Sequence, residues 1–235
     1  MVFYMRGAAL LPILLPQTLW VRRTVPKLPE PPGDRQGTRG TGPVLRLLVV
    51  GDSGAAGVGA RSQDDALLGR LVGDLETDHT VCWQLHATSG HKTSDALARL
   101  EAMQPEKFDV AVTSLGVNDA LSMVSLENWR RQQALLRQML RDKFSVDVLI
   151  ISGLPPLHDF PALPQPLRWH FGARVTQFER ALAADVAGDG EARHLDLRYM
   201  TDMSLMATDG FHPGPGIYAE WARRAAEVIR QRRVC

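Results

Sequence analysis

Residues 45–59, LRLLVVGDSGAAGVG, constrain the chain more than any other stretch. Residues 45–50 form a short, nearly continuous apolar run ending in two valines, the pattern of a strand buried on both faces of a parallel sheet. The run stops at Gly51-Asp52-Ser53-Gly54, so a hydroxyl able to act as a nucleophile follows the carboxyl end of a central strand, where open α/β sheets hold their ligands. Gly54, Gly57 and Gly59 leave little side-chain bulk around it. Such a turn can expose Ser53 Oγ while its backbone N–H faces a bound substrate, as acyl transfer to serine requires. The same residues also suit a plain strand-to-helix turn with Ser53 as a helix cap. A nucleotide-binding loop fits poorly: Gly57-Val58-Gly59 is followed by Ser62 where G-x-G-x-x-G needs its third glycine, and no Gly-Lys-Ser/Thr ends the run.

Strand and helix patterns alternate after this turn. Further strands are expected at residues 81–85, 108–114, 146–152 and 194–197. Helices are expected from a Ser62-Gln63-Asp64-Asp65 capping box to about Glu76, over 95–104, after a Ser125 cap, over 167–187, and from Gly214-Pro215 onward. Residues 153–166, rich in proline, read as an irregular loop. This order predicts a doubly wound, flavodoxin-like, three-layer α/β/α fold with a five-stranded parallel sheet. A chain of 235 residues and 26.0 kDa suits one such domain, over 43–235, behind an extension and Pro/Gly-rich linker over 1–42.

Charge separates these two parts. The formal net charge of +1 argues against a general nucleic-acid binder. Residues 1–42 nonetheless carry Arg6, Arg22, Arg23, Lys27, Arg35 and Arg39 against Glu30 and Asp34, a balance of +4 that leaves −3 for the remainder. Residues 7–20, GAALLPILLPQTLW, are apolar but short for a membrane span and interrupted by Pro12 and Pro16. No small-x-small cleavage site follows, so a retained, cytoplasmic chain is the expectation, with export left open. Residues 7–23 would then pack as a short helix on the domain or a partner, or lie on a membrane surface through Trp20 and the following Arg22, Arg23 and Lys27. Cys82 and Cys235, the two cysteines, imply neither a disulfide framework nor a zinc site.

The residues able to do chemistry follow the strands: Ser53 after the first, Gly90 after the second, Asn118 after the third, Asp209 and His212 after the fifth. In a doubly wound sheet those loops meet on one edge. Asp209 and His212 stand three apart at a helix start, a spacing that lets one imidazole nitrogen face the carboxylate and the other face Ser53 Oγ. The Gly90 N–H, at a position a side chain would crowd, and the Asn118 carboxamide are candidate oxyanion donors beside the Ser53 N–H. Each block alone also has a structural explanation, as a turn or a helix cap. His86 and His91, near Gly90, are either substrate contacts or ordinary loop residues. The histidine spacings match no metal motif, and no cofactor is implied.

Together, Gly51-Asp52-Ser53 with its trailing glycines, Gly90, Gly116-x-Asn118-Asp119 and Asp209-x-x-His212 resemble the four blocks of the SGNH hydrolases, the GDSL esterase and lipase superfamily, in the family's order over about residues 45–230. The second block is the loosest, with His86-Ala87-Thr88-Ser89 before Gly90 where an asparagine often stands. The resemblance implies a Ser53 nucleophile, a His212 base oriented by Asp209, an oxyanion hole of Ser53 N–H, Gly90 N–H and the Asn118 amide, and a small-molecule ester as substrate. A histidine base predicts activity that rises through neutral pH. Leu157, Phe160, Leu163 and Trp169, in or just after the proline-rich loop, are the expected acyl pocket, or the loop's own packing. Short- to medium-chain esters are expected; acetylated carbohydrates, thioesters, lysophospholipids and a non-catalytic binding module are the alternatives.

Overall fold

The computed structural model describes residues 2–200 and 202–232, so Cys235 lies outside the described residues. Strand β2 (Val44–Gly51) organises the layers. Alternation sends Leu45, Leu47 and Val49 to one face and Leu48 and Val50 to the other. Both faces are covered, so all five side chains are buried and the strand reads as an apolar run interrupted only by the exposed Arg46. Beside it lie β1 (Gln36–Arg39), β3 (Thr80–Ala87), β4 (Val110–Ser114), β5 (Val148–Ser152) and β6 (Ala192–Leu195), in the order β1-β3-β2-β4-β5-β6. The helices are α1 (Val2–Thr24), α2 (Ser53–Ala56), α3 (Leu67–Leu75), α4 (Thr93–Ala102), α5 (Val117–Ala120), α6 (Leu126–Asp142), α7 (Leu167–Ala187) and α8 (Pro215–Arg232). Helices α3 and α8 cover the face of Leu45, Leu47 and Val49; α4, α6 and α7 cover the other.

The sheet has six strands among the described residues, not five, and is mixed. Strands β2 to β6 are parallel, while β1, from the segment read as linker, pairs antiparallel with β3. Four residues, Gln36-Gly37-Thr38-Arg39, give no apolar alternation to betray a strand. They are held by register instead: Gly37 stands opposite Trp83, and a Cβ on Gly37 would come within 2.5 Å of the indole ring. The bare glycine therefore lets Trp83 lie across the edge. A short polar strand at a sheet margin also discourages pairing with other chains.

Two further expectations change. Ser62 makes no capping bond; Gln63–Asp65 form one 3₁₀ turn, Ala66 is extended, and α3 begins at Leu67. The cause is the Gln63 side chain, which turns inward and donates to the Ala56 carbonyl at 2.9 Å, tying the turn to α2. Helix α1 is continuous through Pro12 and Pro16. Both prolines, and the Ala8 residue whose carbonyl Pro12 leaves without its helical partner, are exposed, so the freed carbonyls meet solvent. The opposite side of α1 packs on α7: Leu14 is buried, Gly7 meets His170, Phe3 stacks on His170 at 4.2 Å, and Gln17 bonds both the Gln165 carbonyl and the Leu167 N–H. Ser125 caps α6 as expected, accepting from the Asn128 N–H. No described helix is long and apolar enough to cross a membrane.

Valine is a better strand former than glycine, yet Gly37→Val is expected to destabilise the fold by about 1–3 kcal/mol because its side chain overpacks against Trp83. Urea unfolding checks this, and adding Trp83→Ala should recover part of the loss.

Candidate active site

The site stands at the switch point of the sheet, where the chain leaves β2 for β3 on one side and β4 continues on the other. At the end of β2 a Cβ on Gly51 would lie 2.5 Å from the Ser114 carbonyl oxygen, so only glycine permits this approach to β4. The Asp52 N–H donates to that same carbonyl at 3.1 Å. Asp52, rather than Ser53, caps α2, its carboxylate accepting the Gly54 N–H at 3.0 Å. Ser53 is the first residue of α2, which closes at Gly57 with φ of 89°.

The His212 loop meets this turn from the far end of the chain. Asp209 Oδ1 accepts the backbone N–H groups of Phe211 and His212, each at 2.9 Å. Its Oδ2 lies 2.5 Å from His212 Nδ1, and His212 Nε2 lies 3.0 Å from Ser53 Oγ. A carboxylate facing Nδ1 keeps the proton there, which leaves Nε2 as the acceptor toward serine. Burial pushes the Asp209 carboxyl up, but the His212 ring and the two backbone N–H groups outweigh it and hold Asp209 below the ordinary carboxylate range. Two contacts lock the loops together. A Cβ on Gly59 would lie 2.2 Å from the Pro213 carbonyl oxygen, and the buried Tyr218 hydroxyl donates to the Val58 carbonyl at 2.7 Å.

Asn118 arrives on α5, straight after β4. Gly116, with φ of 131°, makes this turn against the Trp129 ring, which a Cβ would approach to 2.8 Å. The Asn118 carboxamide donates to the His91 carbonyl at 3.0 Å and leans on Asp52 Oδ2 at 3.4 Å. Behind it Asp119 is fully buried, accepting the Thr93 N–H and hydroxyl at 3.0 Å each. Trp129 Nε1 and Gln133 Nε2 donate to the Thr93 hydroxyl in turn. Sequence patterns missed this support. Thr93 carries no motif, and its link to Asp119 exists only once α4 and α5 meet.

Gly90 differs from expectation. A Cβ there would meet nothing within 4 Å, so crowding does not demand a glycine; its φ of 83° does. It is exposed in a turn closed by the His91 N–H on the Thr88 carbonyl. His86 is engaged by Gln84 and Arg99.

A small cavity of about 60 Å³ opens beside Ser53, Asn118 and His212, with mostly apolar walls that include Leu154, Pro155, Met206, Phe211 and Phe160. Phe160 stands edge-on to Phe211 at 5.6 Å, and Phe211 in turn packs against the His212 ring. Of the four residues expected to form a pocket, only Phe160 lines it. Leu157, 0% exposed, and Leu163, 6% exposed, fill the loop's own core. Trp169 is 47% exposed on α7 with the Arg6 guanidinium over its ring at 4.1 Å. Among the described residues no group of three or more His, Cys, Asp and Glu side chains is placed to hold a metal ion.

The model of the GDSL-like Lipase/Acylhydrolase family matches residues 49–220, which span the serine turn, Asn118, Asp209 and His212. The chain belongs to this family of carboxylic ester hydrolases. It is 27% identical over 231 residues to a GDSL-like esterase of Mycobacterium tuberculosis, covering 88% of this chain and 72% of that protein. Among solved structures, its fold is similar to a lipase from a goat rumen metagenome, with a TM-score of 0.62 and 18% identity over 78% of this chain and 97% of that one. An acetylxylan esterase from Geobacillus stearothermophilus gives 0.60 and 18% over 80% and 95%.

Asp52 has an unusual titration. Burial pushes its carboxyl up to about 7, against the downward pull of the Gly54 N–H and of His212 and with a further push from Asp119. Because the folded protein holds this proton more tightly than the unfolded chain, the contribution of Asp52 to stability is full below about pH 4 and is lost as pH rises to about 7. Relative to Asp52→Asn, wild-type stability should therefore fall by up to about 1.4 kcal/mol per pH unit across that window and run parallel above it. Thermal melts of both proteins from acid to neutral pH measure the difference.

Proposed function

We propose that the protein is a serine esterase that hydrolyses short- to medium-chain acyl esters through an acyl-enzyme on Ser53. The observation that carries this reading is the unbroken line from Asp209 Oδ2 through His212 to Ser53 Oγ, with 2.5 Å and 3.0 Å contacts. In the first step His212 Nε2 takes the serine proton as Oγ attacks the ester carbonyl. The resulting imidazolium is stabilised by the buried Asp209 carboxylate, then gives its proton to the departing alcohol. Water, activated by the same nitrogen, releases the acid from Ser53.

The developing oxyanion is received by the Ser53 N–H and the Asn118 carboxamide. One Asn118 N–H is held by His91; the other makes only the 3.4 Å contact with Asp52, which it exchanges for the stronger charge-assisted bond to the oxyanion. The Gly90 N–H is assigned as third donor on the family pattern alone. The apolar walls favour an acyl chain over a charged group.

With p-nitrophenyl esters as substrates, Ser53→Ala should abolish turnover, and Asn118→Ala should lower kcat about 100- to 1000-fold while circular dichroism stays unchanged. Undiminished turnover in either variant refutes the assignment. In the same series, Phe160→Ala should move the optimum toward longer acyl chains, because its ring forms one wall of the cavity. An unaltered chain-length profile would place the acyl group elsewhere.

A further inference from the structure

We infer that the outward face of α1 docks the protein on the surface of an anionic lipid bilayer. Helix α1 is apolar around nearly its whole circumference, yet among its described side chains the covered ones lie on the side that packs on α7. A helix of that composition is ordinarily buried on all sides. Here Met5, Leu11, Ile13, Leu15, Leu19 and Trp20 are each 45% to 63% exposed. At 100° per residue they fall on one continuous arc, and that arc carries no charged residue before Arg22. Large apolar side chains scattered singly on a surface need no explanation, whereas a continuous strip of them marks a contact surface.

Charge selects lipid as the occupant. Glu30 is the first acidic residue in the sequence, so α1 and the stretch that follows it to Pro29 hold no negative charge. Arg22, Arg23 and Lys27 are exposed just beyond Trp20, placing an aromatic ring and a basic cluster where the helix would meet phosphate head groups. The face is also a convex rod bearing two proline rings, a shape that presses into a deformable surface. The same prolines set the depth. The carbonyls of Ala8 and Pro12 lack helical N–H partners, which is costly in hydrocarbon and harmless among head groups, so the helix lies at the interface and does not enter the bilayer core. On this account α7 takes the place of the polar face that an isolated interfacial helix would need.

The docking is independent of the esterase assignment. Flotation of the full chain with vesicles tests it, using phosphatidylcholine alone and phosphatidylcholine mixed with phosphatidylglycerol. The chain should float with the mixed vesicles and less with the neutral ones. Arg22→Gln with Arg23→Gln should weaken binding to the mixed vesicles by roughly thirty-fold, as two lost basic residues imply, and high salt should act in the same direction. Leu11→Ser, Leu15→Ser and Leu19→Ser together should abolish flotation. Because these side chains face outward, the circular dichroism and thermal midpoint of that variant should match the wild type. The inference is overturned if wild-type chain stays with the soluble fraction, if the triple variant floats as well as the wild type, or if light scattering shows a dimer that the triple variant breaks and that does not bind vesicles.

Discussion

The close approach of β2 and β4 at their carboxyl ends is the constraint on which the site depends. With Gly51 against the Ser114 carbonyl and the Asp52 N–H bonded to it, the two strands that carry Ser53 and Asn118 are fixed to each other by backbone. The serine turn and α5 are then braced from opposite layers. On one side α8 supplies Tyr218, whose hydroxyl holds the Val58 carbonyl. On the other, Trp129 and Gln133 of α6 hold Thr93, and Thr93 holds Asp119 beside the carboxamide. Preorganised donors of this kind lower a barrier because they need not reorient as charge develops.

The buried carboxyls near the serine turn are in three electrostatic states. Asp209 is held ionised by the donors that converge on it. Asp119 receives two bonds from Thr93, yet its burial still raises it. Asp52, with one backbone donor and a long contact to Asn118, is raised to about 7. Of the three, Asp209 is the one whose charge is favoured by its surroundings, and it is the one bonded to the imidazole. Burial is the largest influence on all three, and only at Asp209, the least deeply buried of them, do the donors outweigh it.

Much of this was legible in the chain. Alternating strands and helices announce the parallel core because the central strands β2, β4 and β5 are largely apolar, and the residues able to do chemistry stand in the loops that follow strands. What escaped had no local pattern. Strand β1 is four residues of polar sequence held in place by Trp83, and Thr93 matters only through a partner 26 positions away. The proline-rich loop misled for a related reason: its apolar residues alternate between cavity and core, so Phe160 lines the site while Leu157 and Leu163 are consumed in packing. Composition alone cannot apportion them. The prolines of α1 read as breaks, but a helix tolerates a missing bond on its wet side when the dry side is well anchored.

The contact between His212 and Ser53 joins residues 159 apart in sequence. A chain leaving the ribosome exposes the serine turn long before its histidine has been made, and α8, which follows the histidine, covers the sheet face lined by Leu45, Leu47 and Val49. The contact between Ser53 and His212 and the cover over that sheet face both need the last part of the chain, which makes them contacts of high sequence separation. Until His212 has been made, the nascent polypeptide carries the serine turn without the imidazole that stands against it in the folded chain.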